Sequence, residues 1–415
     1  MLISSAAPAA PPTARLDYLD AARAFALVLG IVFHASLSFM PIFIGWAVQD
    51  VSTGPAIAAF VVVSHSFRME LFFLLAGFFG YGVLRRRGVA GFASSRAVRL
   101  LVPWVVGWFV LRPLIVSGWV MGADSLRGDF SFWAGIRTGF ASLRGLPDSL
   151  LTGTHLWFLQ YLAMVTGLVL AVRALLVAAG PRGGVVMRGL DRAVDRLAAS
   201  PVRLPLLVVP TAGMLWFMDT WGMDTPDRSL VPHIPVLLVY GGFFGFGWML
   251  GRQPELLERV SRLSWWLWAA AALGIVATLG LVGVQADPAH PRFAEARGAH
   301  AIVYALMMWS LVLLTLGVFR QACTRARPFV RYVADASYWL YLTHLPVVVW
   351  LQVAVAEVPQ HWALKLVFIS AATLGVLLVS YDLFVRSTGL GLVLNGCRRP
   401  RVLFARAARP RVAAA

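Results

Sequence analysis

Charge is what this 415-residue chain has least of. Charged residues make up 13% of it, against roughly 25% in an average soluble domain. Lysine is nearly absent: Lys365 is the single one, and arginine supplies the rest of the positive charge. This poverty leaves no room for a soluble domain of useful size between the apolar runs. Cysteine is also scarce. Cys323 and Cys397 are too few and too far apart for a disulfide framework or a metal-ligand spacing, so no metal is expected. The first residues, 1–14, are rich in Ala and Pro and lack the basic n-region of a cleaved signal peptide. They are expected to be a disordered cytoplasmic lead-in, with the first helix acting as an uncleaved anchor. No fixed-period repeat is visible.

What the chain has instead is apolar length. It is 59% hydrophobic, with a mean hydropathy of +0.76. The expected fold is an all-α, polytopic transmembrane helix bundle occupying 15–390, followed by a basic cytoplasmic tail at 391–415. Ten spans are expected, near 20–41, 56–84, 100–120, 155–178, 204–223, 231–251, 263–283, 299–320, 332–355 and 362–386. The fifth and sixth are interrupted by Pro210, Pro232 and Pro235, which makes their ends the hardest to place. The net charge of +17 is no nucleic-acid footprint. Its arginines cluster in alternate loops, as at Arg85, Arg86, Arg87, Arg188, Arg192 and Arg196, which is the positive-inside pattern. Both termini are therefore expected in the cytoplasm of a bacterial-type inner membrane.

Against that background the ionisable residues inside spans carry the information, since each is costly there and usually faces a bundle interior or an aqueous path. The first span holds Arg23 and, eleven residues on, His34. On a helix they fall within roughly 20° of one face and about 16 Å apart along the axis. The competing account is an Arg that snorkels to the interface and a His satisfied in the core. The second span holds His65, Arg68 and Glu70. Arg68 and Glu70 are two apart and do not face each other, so each needs a different neighbour. They serve either a substrate site or helix packing, and His65 is assigned a structural role. Arg96 and Arg99 are spaced to put two guanidinium groups on one helix face, a fork suited to phosphate oxygens. His155, Trp157, Gln160 and Tyr161 open the fourth span, either as interfacial belt or as the lining of a polar acceptor site. In the ninth span Ser337, Tyr341 and His344 lie at i, i+4 and i+7, a second polar stripe ending in a His.

These stretches resemble the acyltransferase-3 integral membrane acyltransferases, closest to the glucan biosynthesis protein C branch, to which glucan succinylation is ascribed. The features that carry the resemblance are Leu19-Asp20-Ala21-Ala22-Arg23 with His34, Phe72-Phe73-Leu74-Leu75-Ala76-Gly77-Phe78, Arg96 and Arg99 before Leu100-Leu101-Val102-Pro103, and Ser337 through His344. The stretch from His155 to Leu159 is also similar. Ala76 departs from a Ser common in the family, and Glu70 from a neutral residue. The resemblance implies transfer of a succinyl or acetyl group from cytoplasmic acyl-CoA to a hydroxyl of an extracytoplasmic glucan or other glycan. It implies Arg23, Arg96 and Arg99 as donor-binding residues and His34 as general base. Tyr341, Ser337 or His344 would orient that base or stabilise the oxyanion. Glu70, Arg68, His155, Trp157 and Gln160 are candidates for substrate contact. A transporter or flippase for a sugar or lipid-linked cargo would use the same polar stripes as a path, and a structural subunit of an envelope complex would need none of them for chemistry. The sequence leaves the oligomeric state open.

Overall fold

The computed structural model describes residues 16–125, 128, 131–145, 150–325 and 327–403. The N-terminal lead-in expected at 1–14 and the end of the tail beyond 403 lie outside these residues. Every regular element among them is helical. In order they are α1 (Asp17–Ser36), α2 (Pro55–His65), α3 (Arg68–Arg96), α4 (Val102–Ser125), α5 (Phe132–Ala141), α6 (Trp157–Ala178), α7 (Gly180–Ala199), α8 (Arg203–Leu215), α9 (Ile234–Arg252), α10 (Glu255–Val260), α11 (Trp265–Gln285), α12 (Phe293–Ala322), α13 (Pro328–Val355), α14 (Trp362–Ser380) and α15 (Gly389–Asn395).

Eight helical stretches among the described residues are long and apolar enough to cross a membrane, or nine if one bent pair is a single span. The ten expected segments are redistributed for two physical reasons. First, the expected second and third spans both fall in one helical stretch of 71 residues, Pro55–Ser125. At 1.5 Å per residue that stretch is about 107 Å long, far beyond one crossing of a roughly 30 Å core. It bends at Gly88, whose φ of 67° suits glycine, and loosens into a π-turn at Ala97–Leu101. Second, the expected fifth span ends early. The 13 residues of α8 reach only about 20 Å, and α8 is bent by 116° from α7. The following loop turns on Asp224, whose carboxylate accepts from the amides of Asp219 (2.7 Å) and Thr220 (2.9 Å).

Two helix pairings set the positions of the functional groups. Glycine brings α3 and α9 into backbone contact. A β-carbon at Gly77 would lie 2.0 Å from the Phe244 carbonyl oxygen, and one at Gly247 1.9 Å from that of Leu74. With no hydrophobic drive between helices in lipid, such close approach of small residues is what fixes register. The other pair, α1 and α13, runs in the same direction. Asp17 bonds Arg331 at one end (3.0 Å), Arg23 donates to the Ala334 carbonyl (3.0 Å), and Gln352 donates to the carbonyls of His34 (2.9 Å) and Ala35 (3.1 Å) at the other. The two polar stripes of the sequence are thereby laid side by side.

Buried charge clamps the loops at the His34 end. Lys365 and Asp50 pair at 2.7 Å, both nearly inaccessible, and Lys365 also donates to the Ala356 carbonyl (3.3 Å). At the opposite end the start of the basic tail is docked. Asp382 accepts the amides of Val402 and Leu403, while Asp335 pairs with Arg386 and Arg399.

Candidate active site

A cavity of about 1000 Å³ opens at the end of the bundle where α1 finishes. Its rim comes from connecting segments, at Ile42, Ile44, Gly153, Thr225 and Asp227. Its floor reaches Leu27, one turn of α1 and about 6 Å along the axis from Arg23. The walls are mostly apolar and aromatic, with Trp46, Trp119, Trp157 and Trp221, and a few polar groups converge among them. That is the composition expected of a small-molecule site.

Four imidazoles face this space: His34, His65, His155 and His344. They arrive from α1, α2, the loop before α6 and α13. The His344 ring centroid lies 5.1 Å from that of His34 and 5.2 Å from that of His155. Backbone carbonyls assign three tautomers, because a ring nitrogen facing a carbonyl oxygen must carry the proton. His344 Nδ1 lies 2.7 Å from the Tyr341 carbonyl oxygen, which leaves its Nε2 as the acceptor. His155 Nε2 donates to the carbonyls of Tyr341 (3.1 Å) and Leu342 (3.0 Å), leaving Nδ1 free. His65 Nε2 donates to the Met223 carbonyl (2.8 Å), again leaving Nδ1 free. His34 differs: its Nδ1 has no partner among the described residues. Its ring is stacked on Trp46 at 5.8 Å, and its backbone is held by Gln352.

The candidate residues divide between this cavity and the other end of the bundle. His34, Arg68, His155, Trp157, Tyr341 and His344 line the cavity. Tyr341 does not orient His34. Its hydroxyl donates to the His155 carbonyl (2.7 Å), closing a reciprocal clasp with the His155 ring. Ser337 stays out of the cavity and donates to the Ala334 carbonyl one turn back (2.8 Å). Gln160 is likewise outside and donates to the Leu230 carbonyl (3.0 Å), securing the loop before α9. Glu70 is fully buried away from the lining, its carboxylate set near the amides of Met69 and Glu70 at the start of α3 and within reach of the Arg68 charge but bonded to no side chain among the described residues.

Arg23, Arg96 and Arg99 gather at the opposite end. Arg23 pairs with Asp20 at 3.1 Å. Arg99 donates through Nε to the Leu394 carbonyl of α15 (2.9 Å), and its own carbonyl accepts the Tyr338 hydroxyl. The Arg96 guanidinium sits 5.3 Å from the Phe92 ring centroid. The Arg99 charge is repelled by those of Arg96, Arg23 and Arg87, so the group is a concentrated positive field. From there α13 carries a line of rings toward the cavity: Tyr338 to Tyr341 and Tyr341 to His344, each 6.4 Å between centroids.

Sequence reasoning missed Trp46, Gln352 and the cavity-lining position of His65. Gln352 had a usable signal, a lone amide in the apolar run after Pro346. It accepts the Trp46 indole N–H (2.9 Å) while holding the turn that carries His34. Outside the cavity lining, but on the loop that lends it Trp221 and Thr225, Asp219 and Asp224 together with His233 bring possible metal-ligand atoms within 4.8 Å of one another. The Asp224 carboxylate there is already engaged by the turn it organises.

A protein of Salmonella gallinarum named glucans biosynthesis protein C is 22% identical over 388 residues, covering 93% of this chain and 96% of its own. Glucans biosynthesis protein C of Escherichia coli K12 is 29% identical over 157 residues. The chain spans 38% of the length of that protein. No solved structure matches the chain. The family model for the acyltransferase domain of the acyltransferase-3 type matches residues 16–384, nearly the whole helical bundle, and the chain belongs to that family.

Proposed function

We propose that this protein is a multi-pass inner-membrane O-acyltransferase that moves a succinyl or acetyl group from cytoplasmic acyl-CoA to a hydroxyl of an extracytoplasmic glucan or other glycan. The observation that carries this reading is the placement of two unlike sites at opposite ends of one helix pair. An arginine cluster suited to the phosphates of CoA lies at one end of α1 and α13, and an imidazole-lined cavity lies at the other. The Arg side is the cytoplasmic one by charge bias. The names of the relatives make a glucan the first acceptor to try.

In this reading Arg96, Arg99 and Arg23 hold the anionic head of the donor. The pantetheine arm reaches past Leu27 and sets the thioester beside His34. A glycan hydroxyl enters from the rim, where Trp157 and His155 line the wall. A His34 ring nitrogen facing the cavity takes the hydroxyl proton as the oxygen attacks the thioester carbonyl. The C–S bond then breaks, and the proton returns to the departing thiolate, giving an ester and free CoA. His344, with its tautomer set by the Tyr341 carbonyl, packs beside His34 with the ring centroids 5.1 Å apart and limits the rotation of its ring.

The test is reconstitution in proteoliposomes with acyl-CoA on the arginine side and a neutral glucan on the other. Ester formed on the glucan, with CoA released in equal amount, is the expected result. Glycan movement without consumption of acyl-CoA would make the protein a transporter instead.

A further inference from the structure

Arg68 is the one arginine in the cavity wall, and among the described residues no carboxylate lies within ion-pair distance of it. The residue is 5% exposed. Its Nη1 is buried without a hydrogen-bond partner, and no ion pair involves Arg68 among the described residues. The Glu70 charge acts on Arg68 from a distance but does not bond its fork, since Glu70 lies two positions on, turned about 200° around the helix. What holds the guanidinium is packing: the Phe33 ring lies 4.2 Å from its central carbon. Gly30 leaves it room, as a β-carbon there would meet Arg68 Cδ at 3.6 Å and Nη1 at 3.7 Å. The side chain is thus fixed in place with its fork unused.

The position is next to the proposed base. The Arg68 charge acts on His34, His65 and His344. The other titratable groups in the lining are His155, Tyr341 and Asp227, and Asp227 sits at the rim. A buried, unpaired guanidinium is a strong demand for an anion, and its planar fork fits a carboxylate with two parallel hydrogen bonds. The CoA phosphates are assigned to the arginines at the other end. A neutral glycan brings no charge. With Glu70 out of bonding reach, an anion that can meet the Arg68 fork directly is supplied by the far end of the acyl group itself.

We propose that Arg68 is the specificity-determining residue for the donor, binding the free carboxylate of a dicarboxylic acyl group such as succinyl. This rests on the acyltransferase reading above and deepens it. A carboxylate held by Arg68 fixes the distal end of the acyl chain and so sets the thioester carbonyl against His34. An acetyl group has nothing for Arg68 to hold, and a butyryl group of the same length would leave the cation bare against a methyl.

The experiment compares succinyl-CoA, butyryl-CoA and acetyl-CoA as donors to one neutral glucan in proteoliposomes, for the wild type, Arg68→Gln and Arg68→Lys. The wild type is expected to favour succinyl over butyryl by about 100-fold in kcat/KM. Arg68→Gln is expected to reduce that preference to near unity, and Arg68→Lys to keep part of it through its point charge. Use of a neutral glucan removes an anionic acceptor as the ligand of Arg68. A wild type that uses succinyl and butyryl alike overturns the assignment while leaving the acyltransferase reading intact. So does an Arg68→Gln protein that loses all donors by the same factor, which would make Arg68 an oxyanion or packing residue. A wild type that consumes none of the three donors refutes both readings together.

Discussion

Replacing His34 with Gln separates chemistry from packing, because the two losses differ in size. The ring makes no hydrogen bond among the described residues, so its removal leaves no buried partner unsatisfied. The turn that carries it stays held by Gln352 through the carbonyls of His34 and Ala35. What the fold loses is ring contact with Trp46, His344 and Phe33, each worth roughly 0.5–1.5 kcal/mol. Gln refills part of that volume at the edge of an open cavity. The chemical loss is larger. A positioned general base contributes 10²–10⁴-fold, which at 1.36 kcal/mol per decade is about 2.7–5.4 kcal/mol of barrier. His34→Gln should therefore reach the membrane in wild-type amount and bind CoA normally, while transferring acyl groups at least ~100-fold more slowly. The assay is initial-rate transfer of labelled acyl group in proteoliposomes, beside a thermal unfolding curve and CoA binding on the same preparation. A His34→Gln protein with near wild-type transfer would remove His34 from the chemistry and leave His344 as the base.

Other expectations concern the donor site, the sidedness and the scaffold. Arg96→Ala and Arg99→Ala each remove a charged hydrogen bond of roughly 1.5–3 kcal/mol, so CoA affinity should fall about 10- to 100-fold in titrations. Lysine at either position should rescue only partly. Unchanged affinity in both Ala variants would dissolve the clamp. With Cys323 and Cys397 replaced by Ser, an impermeant thiol reagent outside the cell should label Gly145→Cys and spare Arg196→Cys; the reverse pattern would invert every assignment of sides. Lys365→Met should destabilise by about 3–5 kcal/mol, because Asp50 is left buried and uncompensated. Adding Asp50→Asn should recover much of the loss in a melting curve, and a harmless Lys365→Met would deny the pair its role. Gly247→Val should prevent accumulation of folded protein, since its β-carbon would overlap the Leu74 carbonyl of α3.

The helical character of the chain was legible in the sequence, and so were several of the ionisable residues that the fold brings to the cavity wall. Apolar length and the scarcity of charge dictate a membrane bundle, and the cost of an ionisable group in lipid singles out Arg23, His34, Arg68 and His344 wherever they occur. The spacing of Tyr341 and His344 on one face follows from helical periodicity alone. Periodicity also placed Ser337 on that face, but a hydroxyl can satisfy itself on the carbonyl one turn back, and this one does. Span limits were less readable, because Gly88 bends a helix that hydropathy alone divides, and α8 stops at Leu215 where hydropathy continues.

What only the tertiary structure decided is which groups meet. The parallel pairing of α1 with α13 brings His34 to His344, and the loop before α6 adds His155 to them. Trp46 and Gln352, 306 positions apart in the chain, join to brace the His34 turn. The fold also leaves Arg68, at the start of α3, in the cavity wall with its Nη1 unbonded among the described residues, where sequence distance from Glu70 suggested only that each needed some neighbour. The physical reason is common to all of these. Composition and periodicity fix what a helix is and which faces it has. The partner each face receives depends on how glycine contacts and interhelical hydrogen bonds set depth and rotation between segments remote in the chain.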